Sequence, residues 1–399
     1  MERMDASDDR VPCKYGPLCY QKNEAHHKKF KHEKKKSPEI RTSPGRNEAV
    51  DVESSSCPEL ETDAATCSPP TKKQKVEESE KKDSELEFVG KEDAKRIIKN
   101  MFLVEMPDEF YAFWDVCLTI NPKKPLEAFK DCKFSLVGPF EVLAGVLKEN
   151  EHQVPYTLTH WRYFYDPPEV QTLLRGDDQK QLHWGYYRDD PNEMPSYVVS
   201  NAAAEDCILK DAGLSLFATV DFLVASSLKS ADPFSKVKIM RLQTALQKKA
   251  KEEKINMHDK SEFFARKRKI VCPAFHKGGL VVKCDKKTKV GYRKMETETN
   301  LKKLLDKVCG AETEERRNKE MEALDSLITY ANIANDECDF GGPLELGINM
   351  FCHGNELFHP QIMGVLVATY QLLGRPQYAE ILKAHIKSGR KKGSALSIV

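Results

Sequence analysis

The chain has almost no net charge: 63 Lys and Arg stand against 62 Asp and Glu in 399 residues, leaving +1 at pH 7 with His neutral. That balance excludes binding to polyanions driven by overall charge alone, although local patches remain open. No apolar run approaches the ~18 residues of a membrane span, so the chain reads as soluble with no membrane partner. The first residues, Met1 to Ala6, lack an apolar stretch and do not read as a secretory signal. The 12 Cys are therefore expected as thiols or metal ligands rather than disulfides. Also missing are a Gly-rich phosphate loop, a nucleophile elbow and a zinc-protease motif, which leaves no independent active site of those kinds. There is no internal repeat.

Aromatic residues are absent from Glu33 to Ser84, whereas residues 85–399 hold 31 of the 34. The aromatic-free segment is rich in Ser, Pro and Glu, and it cannot bury enough apolar surface to offset its ordering entropy. It reads as a disordered linker over 35–84. Within it, Pro69-Pro70-Thr71-Lys72-Lys73-Gln74-Lys75-Val76 has the form of a nuclear localisation signal, an extended basic run that can be gripped without unfolding anything. The remainder is long enough for one large core or two moderate ones.

Before the linker, Cys13, Cys19, His26 and His32 follow the spacing C-x5-C-x6-H-x5-H. Two thiolates and two imidazoles satisfy a tetrahedral zinc, and in a module this short metal binding would supply the folding free energy. The gap to the first His is too short for the hairpin and helix of a DNA-reading finger. The alternative is a tail in which these residues fall together by chance.

In the remainder, Phe110, Phe113, Trp114, Cys117 and Leu118 after Pro107-Asp108 predict an amphipathic helix starting at the proline. His183–Arg188 and Ser196–Ser200 read as strands on either side of a turn. Leu214–Leu228 and Val237–Lys254 read as helices, the second so dense in Lys that it is either a solvated face or, with the Lys-rich 230–290 region, a DNA contact. A short strand is expected at Leu280–Val282. Helical patterns follow at Asn300–Cys309, Thr313–Asn335, Leu344–Cys352, Pro360–Leu373 and Tyr378–Ile386. Helices grouped after a β-rich middle argue for an α+β fold. Expected divisions are 10–34 for the finger, 35–84 for the linker, 85–230 for a β-rich lobe, 231–390 for a mainly helical lobe and 391–399 for a tail. His160, His183 and His276 read as structural residues rather than ligands.

One helical pattern breaks a local rule. It runs through Met321, Leu324, Leu327, Ile328, Ala331 and Ala334 directly into Asn335-Asp336-Glu337-Cys338-Asp339-Phe340-Gly341-Gly342. Three acids at the negative pole of a helix cost about 0.3–1 kcal/mol each, where Lys or Arg is the usual choice. The glycine pair would act as the cap, but it does not explain the acids. They mark either a functional site or surface groups paired with Lys or Arg.

Two resemblances add to this reading. Around Cys13-Lys14-Tyr15-Gly16 and Cys19-Tyr20-Gln21-Lys22-Asn23 the chain resembles the poly(ADP-ribose)-binding zinc finger. That resemblance implies Zn2+ on the four ligands, Tyr15 and Tyr20 flanking an adenine, and Gln21 and Lys22 near pyrophosphate. The family often has Arg where Gln21 stands, so a bidentate phosphate contact is missing here. From about residue 85 to 390 the chain resembles the histone PARylation factor 1 family. The matching segments are Leu158 to Glu169, Val290-Gly291-Tyr292-Arg293 and Asn335 to Gly347. The resemblance implies a non-enzymatic nuclear cofactor at chromosomal sites of DNA damage. Its partners would be the catalytic domain of a poly(ADP-ribose) polymerase, which itself holds the NAD, together with histones and poly(ADP-ribose). It further implies that Glu337 is a general base supplied in trans for serine modification, that Asp336 and Tyr292 belong to the docking surface, and that Arg293 orients Glu337. Glu356 stands where vertebrate members carry a His, while His359 is retained. The residues alone are also compatible with a repair scaffold, or with a hydrolase acting through Glu337 and Asp336.

Overall fold

The computed structural model describes residues 11–12, 28–31, 89–149, 154–285 and 287–399. The chain divides into two units, Met1–Glu80 and Lys81–Val399. In the first unit, β1 (Val11–Pro12) pairs in parallel with β2 (Phe30–Lys31), with Pro12 opposite Lys31. The expected linker over 35–84 and its basic run lie outside the described residues.

The second unit begins with α1 (Lys91–Phe102) and α2 (Asp108–Ile120). Pro107 sits at the N-cap of α2 in extended conformation, and Asp108 and Glu109 occupy the first turn, where the helix dipole favours acids. The stripe predicted from the spacing is in the core: Phe110, Phe113, Trp114 and Cys117 are all buried. Phe110 stacks on Phe140 at 4.2 Å between ring centroids. Each such ring contributes about 1.5–3 kcal/mol by leaving water.

Next comes β3 (Ser135–Leu136), then the short helices α3 (Pro139–Leu143) and α4 (Val154–Thr157). The strands β4 (Val170–Arg175), β5 (Leu182–Tyr187), β6 (Tyr197–Ala202) and β7 (Lys210–Gly213) follow. All five strands pair antiparallel in chain order, forming a meander. Alternation on β5 sends Trp184 and Tyr186 into the first core and Tyr187 to the opposite face, where it meets Tyr197. Both faces are buried, so β4 carries no polar alternation and gives a weak signal in sequence.

The helices α5 (Leu216–Ser230) and α6 (Pro233–Glu252) return to the first core, which draws on Ile239, Leu242, Leu246 and Ala250 of α6. After α7 (Ser261–Lys267), β8 (Ile270–Cys272) and β9 (Leu280–Val281) form a two-stranded ladder. A second core then gathers α8 (Glu298–Cys309), α9 (Glu314–Asp336), α10 (Gly341–His353), α11 (His359–Leu372) and α12 (Pro376–Lys387). The helix starts are chemically marked. Ser215, Asp232, Thr297 and Thr313 each accept backbone N–H groups at an N-cap, a contact worth about 1 kcal/mol. The architecture is α+β, with an antiparallel sheet followed by a helical part, as expected. No described helix is long and apolar enough to cross a membrane.

The three histidines read as structural are buried and hydrogen-bonded. His160 Nε2 lies 2.5 Å from Glu141, and its Nδ1 accepts the Ile398 N–H at 3.1 Å, tying down the C-terminal end. His183 bridges Asp166 and the Gln181 carbonyl, both at 2.8 Å. His276 Nδ1 accepts the Gly278 N–H at 2.9 Å. This closes a tight turn whose carbonyls, on Gly278 and Gly279, accept from Tyr197, Tyr187 and Arg266. Arg266 is held from the other side by Asp189 at 2.7 Å.

Burial, reinforced by the Arg266 charge, pushes His276 from 6.5 down to about 3. The unfolded chain takes up this proton near pH 6.5 and the folded one only near pH 3, so the stabilisation is complete above 6.5 and is lost as pH falls between the two. Urea unfolding from pH 7 to 4 is expected to show a loss of about 1.4 kcal/mol per pH unit from this proton. His276→Asn, which keeps an acceptor for Gly278, is expected to reduce that slope by one proton.

Candidate functional site

The acids at the end of α9 are presented by a helix stop different from the one expected. The stop is not at the glycine pair. Glu337 is the C-cap and Cys338 adopts the left-handed conformation at φ 60°. The Asp339 N–H donates to the Ala334 carbonyl at 2.8 Å and the Cys338 N–H to the Asn335 carbonyl at 3.2 Å, the two bonds of a Schellman motif. Glycine usually fills the position that Cys338 holds here.

Gly341 and Gly342 serve another purpose: they open α10 against the loop carrying Tyr292 and Arg293. A Cβ on Gly341 would stand 2.6 Å from the Gly291 carbonyl oxygen, and one on Gly342 would stand 2.9 Å from that of Arg293. The Gly341 N–H donates to the Gly291 carbonyl at 2.9 Å. Gly291 has φ 102° and would place a Cβ 2.0 Å from the Lys283 carbonyl oxygen. Two glycines of α10, Gly341 and Gly342, therefore let its backbone touch the 291–293 loop, while Gly291 lets that loop turn tightly against Lys283.

That contact delivers Arg293 to the acids. Its Nη1 is 3.2 Å from Glu337 Oε2, and its Nε is 3.5 Å from Asp339 Oδ2. The three acids differ in environment. Glu337 and Asp336 are exposed, and Asp336 has no ion-pair partner among the described residues. Asp339 turns inward and is 2% exposed. Burial pushes its carboxyl up, the Arg293 guanidinium opposes that shift, and the Glu337 carboxylate adds to it. Of the two readings set out for these acids, pairing is present: Arg293 faces Glu337 and Asp339, while Glu337 and Asp336 stay at the surface. Tyr292 donates from its hydroxyl to Glu345 at 2.9 Å, while Asn335 donates to Thr369 at 3.2 Å and fixes the end of α9 on α11.

Sequence reasoning missed two neighbours. Tyr330 and Ile333 on α9 are 63% and 48% exposed, and with Glu337 they fall at i, i+3 and i+7, one stripe of the helix. Two large apolar side chains in water beside a carboxylate were legible only as interruptions in the buried pattern. Glu356 is exposed in the turn after α10, and His359 opens α11. Cys13, Tyr15, Cys19, Tyr20, Gln21, Lys22, His26 and His32 lie outside the described residues. Among the described residues no His, Cys, Asp and Glu cluster could hold a metal ion.

Comparison with known proteins places the chain in a family. A family model for histone PARylation factor 1 matches residues 93–389. The chain belongs to the histone PARylation factor 1 family. Relatives of that name include one from Mus musculus, 35% identical over 301 residues, covering 74% of this chain and 87% of the relative. One from Danio rerio is 36% identical over 301 residues, covering 74% and 86%. A putative histone PARylation factor 1-like protein of Homo sapiens is 34% identical over 306 residues, covering 75% and 88%. The family match spans the loop with Arg293 and the end of α9 with Glu337. Separately, a PBZ domain model matches residues 10–35, the stretch with the C-x5-C-x6-H-x5-H spacing.

The left-handed Cys338 offers a test of the helix stop. Cys338→Gly removes the steric cost of that conformation and is expected to raise stability by about 1 kcal/mol in chemical denaturation.

Proposed function

We propose that this chain is an accessory factor that completes the active site of a poly(ADP-ribose) polymerase and confers serine modification on histones and other proteins. The observation that carries this reading is an exposed carboxylate, Glu337, held by Arg293 at 3.2 Å at the tip of a helix beside exposed Tyr330 and Ile333. A chain with its own active site would place such a group in a cleft. Here it stands where a partner's surface can close over it, and the apolar side chains suit that closure.

The chemistry explains why a second chain is needed. The partner polymerase holds NAD and generates an electrophilic anomeric carbon as nicotinamide departs. An ionised carboxylate on an acceptor protein attacks that carbon without losing a proton. A serine hydroxyl must lose its proton as the oxygen–carbon bond forms, and a positioned base accelerates such a step roughly 100- to 10,000-fold. Glu337 receives that proton. Arg293 is the positioning residue: its fork fixes the carboxylate, and it meets the C-terminal end of the partner. Asp336 and Tyr292 extend the docking surface. The chain supplies a base and a surface and is not an enzyme by itself.

The N-terminal module serves recruitment. Cys13, Cys19, His26 and His32 hold Zn2+, Tyr15 and Tyr20 stack on adenine, and Gln21 and Lys22 face pyrophosphate. The register of β1 and β2 supports this, because Pro12 and Lys31, the chain neighbours of Cys13 and His32, are partners. The metal supplies folding free energy there and no chemistry of the transfer. Together with the basic run at Lys72–Lys75, this supports a nuclear location, on chromosomes at sites of DNA damage and repair.

Two measurements separate these roles. Purified polymerase, NAD and histone are incubated with the wild-type chain or Glu337→Ala, and acceptor residues are assigned by mass spectrometry. Serine modification is expected to fall at least 100-fold. Undiminished serine modification would remove Glu337 as the base. Cys13→Ala is expected to abolish poly(ADP-ribose) binding by the finger while leaving serine modification in the purified system intact.

A further inference from the structure

An open groove of about 900 Å3 lies between the end of α7, the β8–β9 ladder and the loop that carries Tyr292 and Arg293. Arg268, Lys269, Lys289 and Lys294 line it, and all four are exposed. Its apolar lining includes buried Val282 and half-buried Ile270, with half-buried Tyr292 beside them.

The charge pattern is one-sided. Neighbouring cations are paired: Arg266 with Asp189, Lys267 with Asp211, and Arg293 with Glu337 and Asp339. None of the four groove cations has an ion-pair partner among the described residues. Asp285, the nearest acid in sequence to Lys289, is taken up by the Lys287 and Thr288 N–H groups. Lys294 feels the carboxylates of Glu296 and Glu345 without forming an ion pair, and four like charges around one concavity focus a positive potential into it and raise the local concentration of anions. A basic histone tail is repelled from such a site.

The shape narrows the class of anion. A concavity of this size matches small-molecule sites of roughly 300–1,000 Å3. Apolar lining with an adjacent aromatic ring suits a planar base, and clustered cations suit adjoining phosphates. We propose that this groove binds a nucleoside diphosphate unit of the ADP-ribose class, either free or as one unit of the polymer. Tyr292 and Arg293 belong to both the groove and the acidic tip, so an occupant lies beside Glu337. The inference concerns binding alone and stands whether or not Glu337 is the base.

The test uses the full chain carrying Cys13→Ala, which silences the finger, without polymerase. ADP-ribose, poly(ADP-ribose), AMP and a single-stranded oligodeoxynucleotide are titrated by calorimetry, with methyl signals of Ile270 and Val282 followed by NMR. The expected result is saturable binding of ADP-ribose or of the polymer that shifts both methyl groups. Arg268→Glu with Lys289→Glu should weaken it at least tenfold at unchanged thermal stability. Which of the two probes binds tells whether the free nucleotide or the polymer is the ligand. The proposal is overturned if neither binds, if the methyl signals stay fixed, or if charge reversal leaves affinity unchanged. Equal affinity for AMP or for the oligonucleotide also overturns it. The methyl shifts are read on side chains that the charge reversal leaves in place, so they decide the matter even if the double variant misfolds.

Discussion

Everything distinctive about this protein's acidic tip depends on two stretches of backbone lying closer than side chains permit. The Gly341 N–H donates to the Gly291 carbonyl at 2.9 Å, and a Cβ added to Gly341 would stand 2.6 Å from that same oxygen. Because the loop cannot move away from α10, the next residues, Tyr292 and Arg293, are fixed relative to the end of α9. Tyr292 reaches Glu345 and Arg293 reaches Glu337. The glycines carry no side chain to the tip, yet they set its geometry.

The electrostatics of the tip follow from that placement. A helix ending in Asp336 and Glu337 carries acids where its dipole is already negative, and the Schellman bonds leave Cys338 in a conformation that disfavours a side chain. One guanidinium offsets part of the Glu337 charge without covering it and leaves Asp336 without an ion pair among the described residues. Asp339, buried beneath, takes the second arm of the same Arg, so the orientation of Arg293 is set by a group that does not itself face solvent. The helix end is thus less stable than it could be, and the departure coincides with the exposed carboxylate. Next to it, the groove cations are left unpaired, so positive and negative surfaces adjoin within a few residues of one loop.

Much of this was legible in sequence, for identifiable reasons. The α2 stripe was readable because helical periodicity projects directly onto one buried face, and β5 and β6 because aromatic and β-branched residues lie between turn residues. β4 was not, because a strand buried on both sides loses its alternation. The acidic run at the end of α9 announced itself by breaking the dipole rule, and Arg293 could be named from family resemblance. The glycine pair was misassigned as a cap because a capping glycine and a close-approach glycine look alike until the partner backbone is known. Tyr330 and Ile333 were missed because exposure of an apolar residue depends on what packs against the helix.

By itself, then, the sequence determined the local matters: where helices start, which stripes are apolar, that two Cys and two His have zinc spacing, and that acids crowd one helix end. These are set by interactions among residues a few positions apart, which chain order states outright. Tertiary structure decided that Arg293 meets Glu337 across 44 residues, that Asp339 turns inward while Glu337 stays in water, and that Arg268 and Lys294 face one groove. Those outcomes hinge on which distant backbones can approach one another, a property of packed volume that no local pattern encodes.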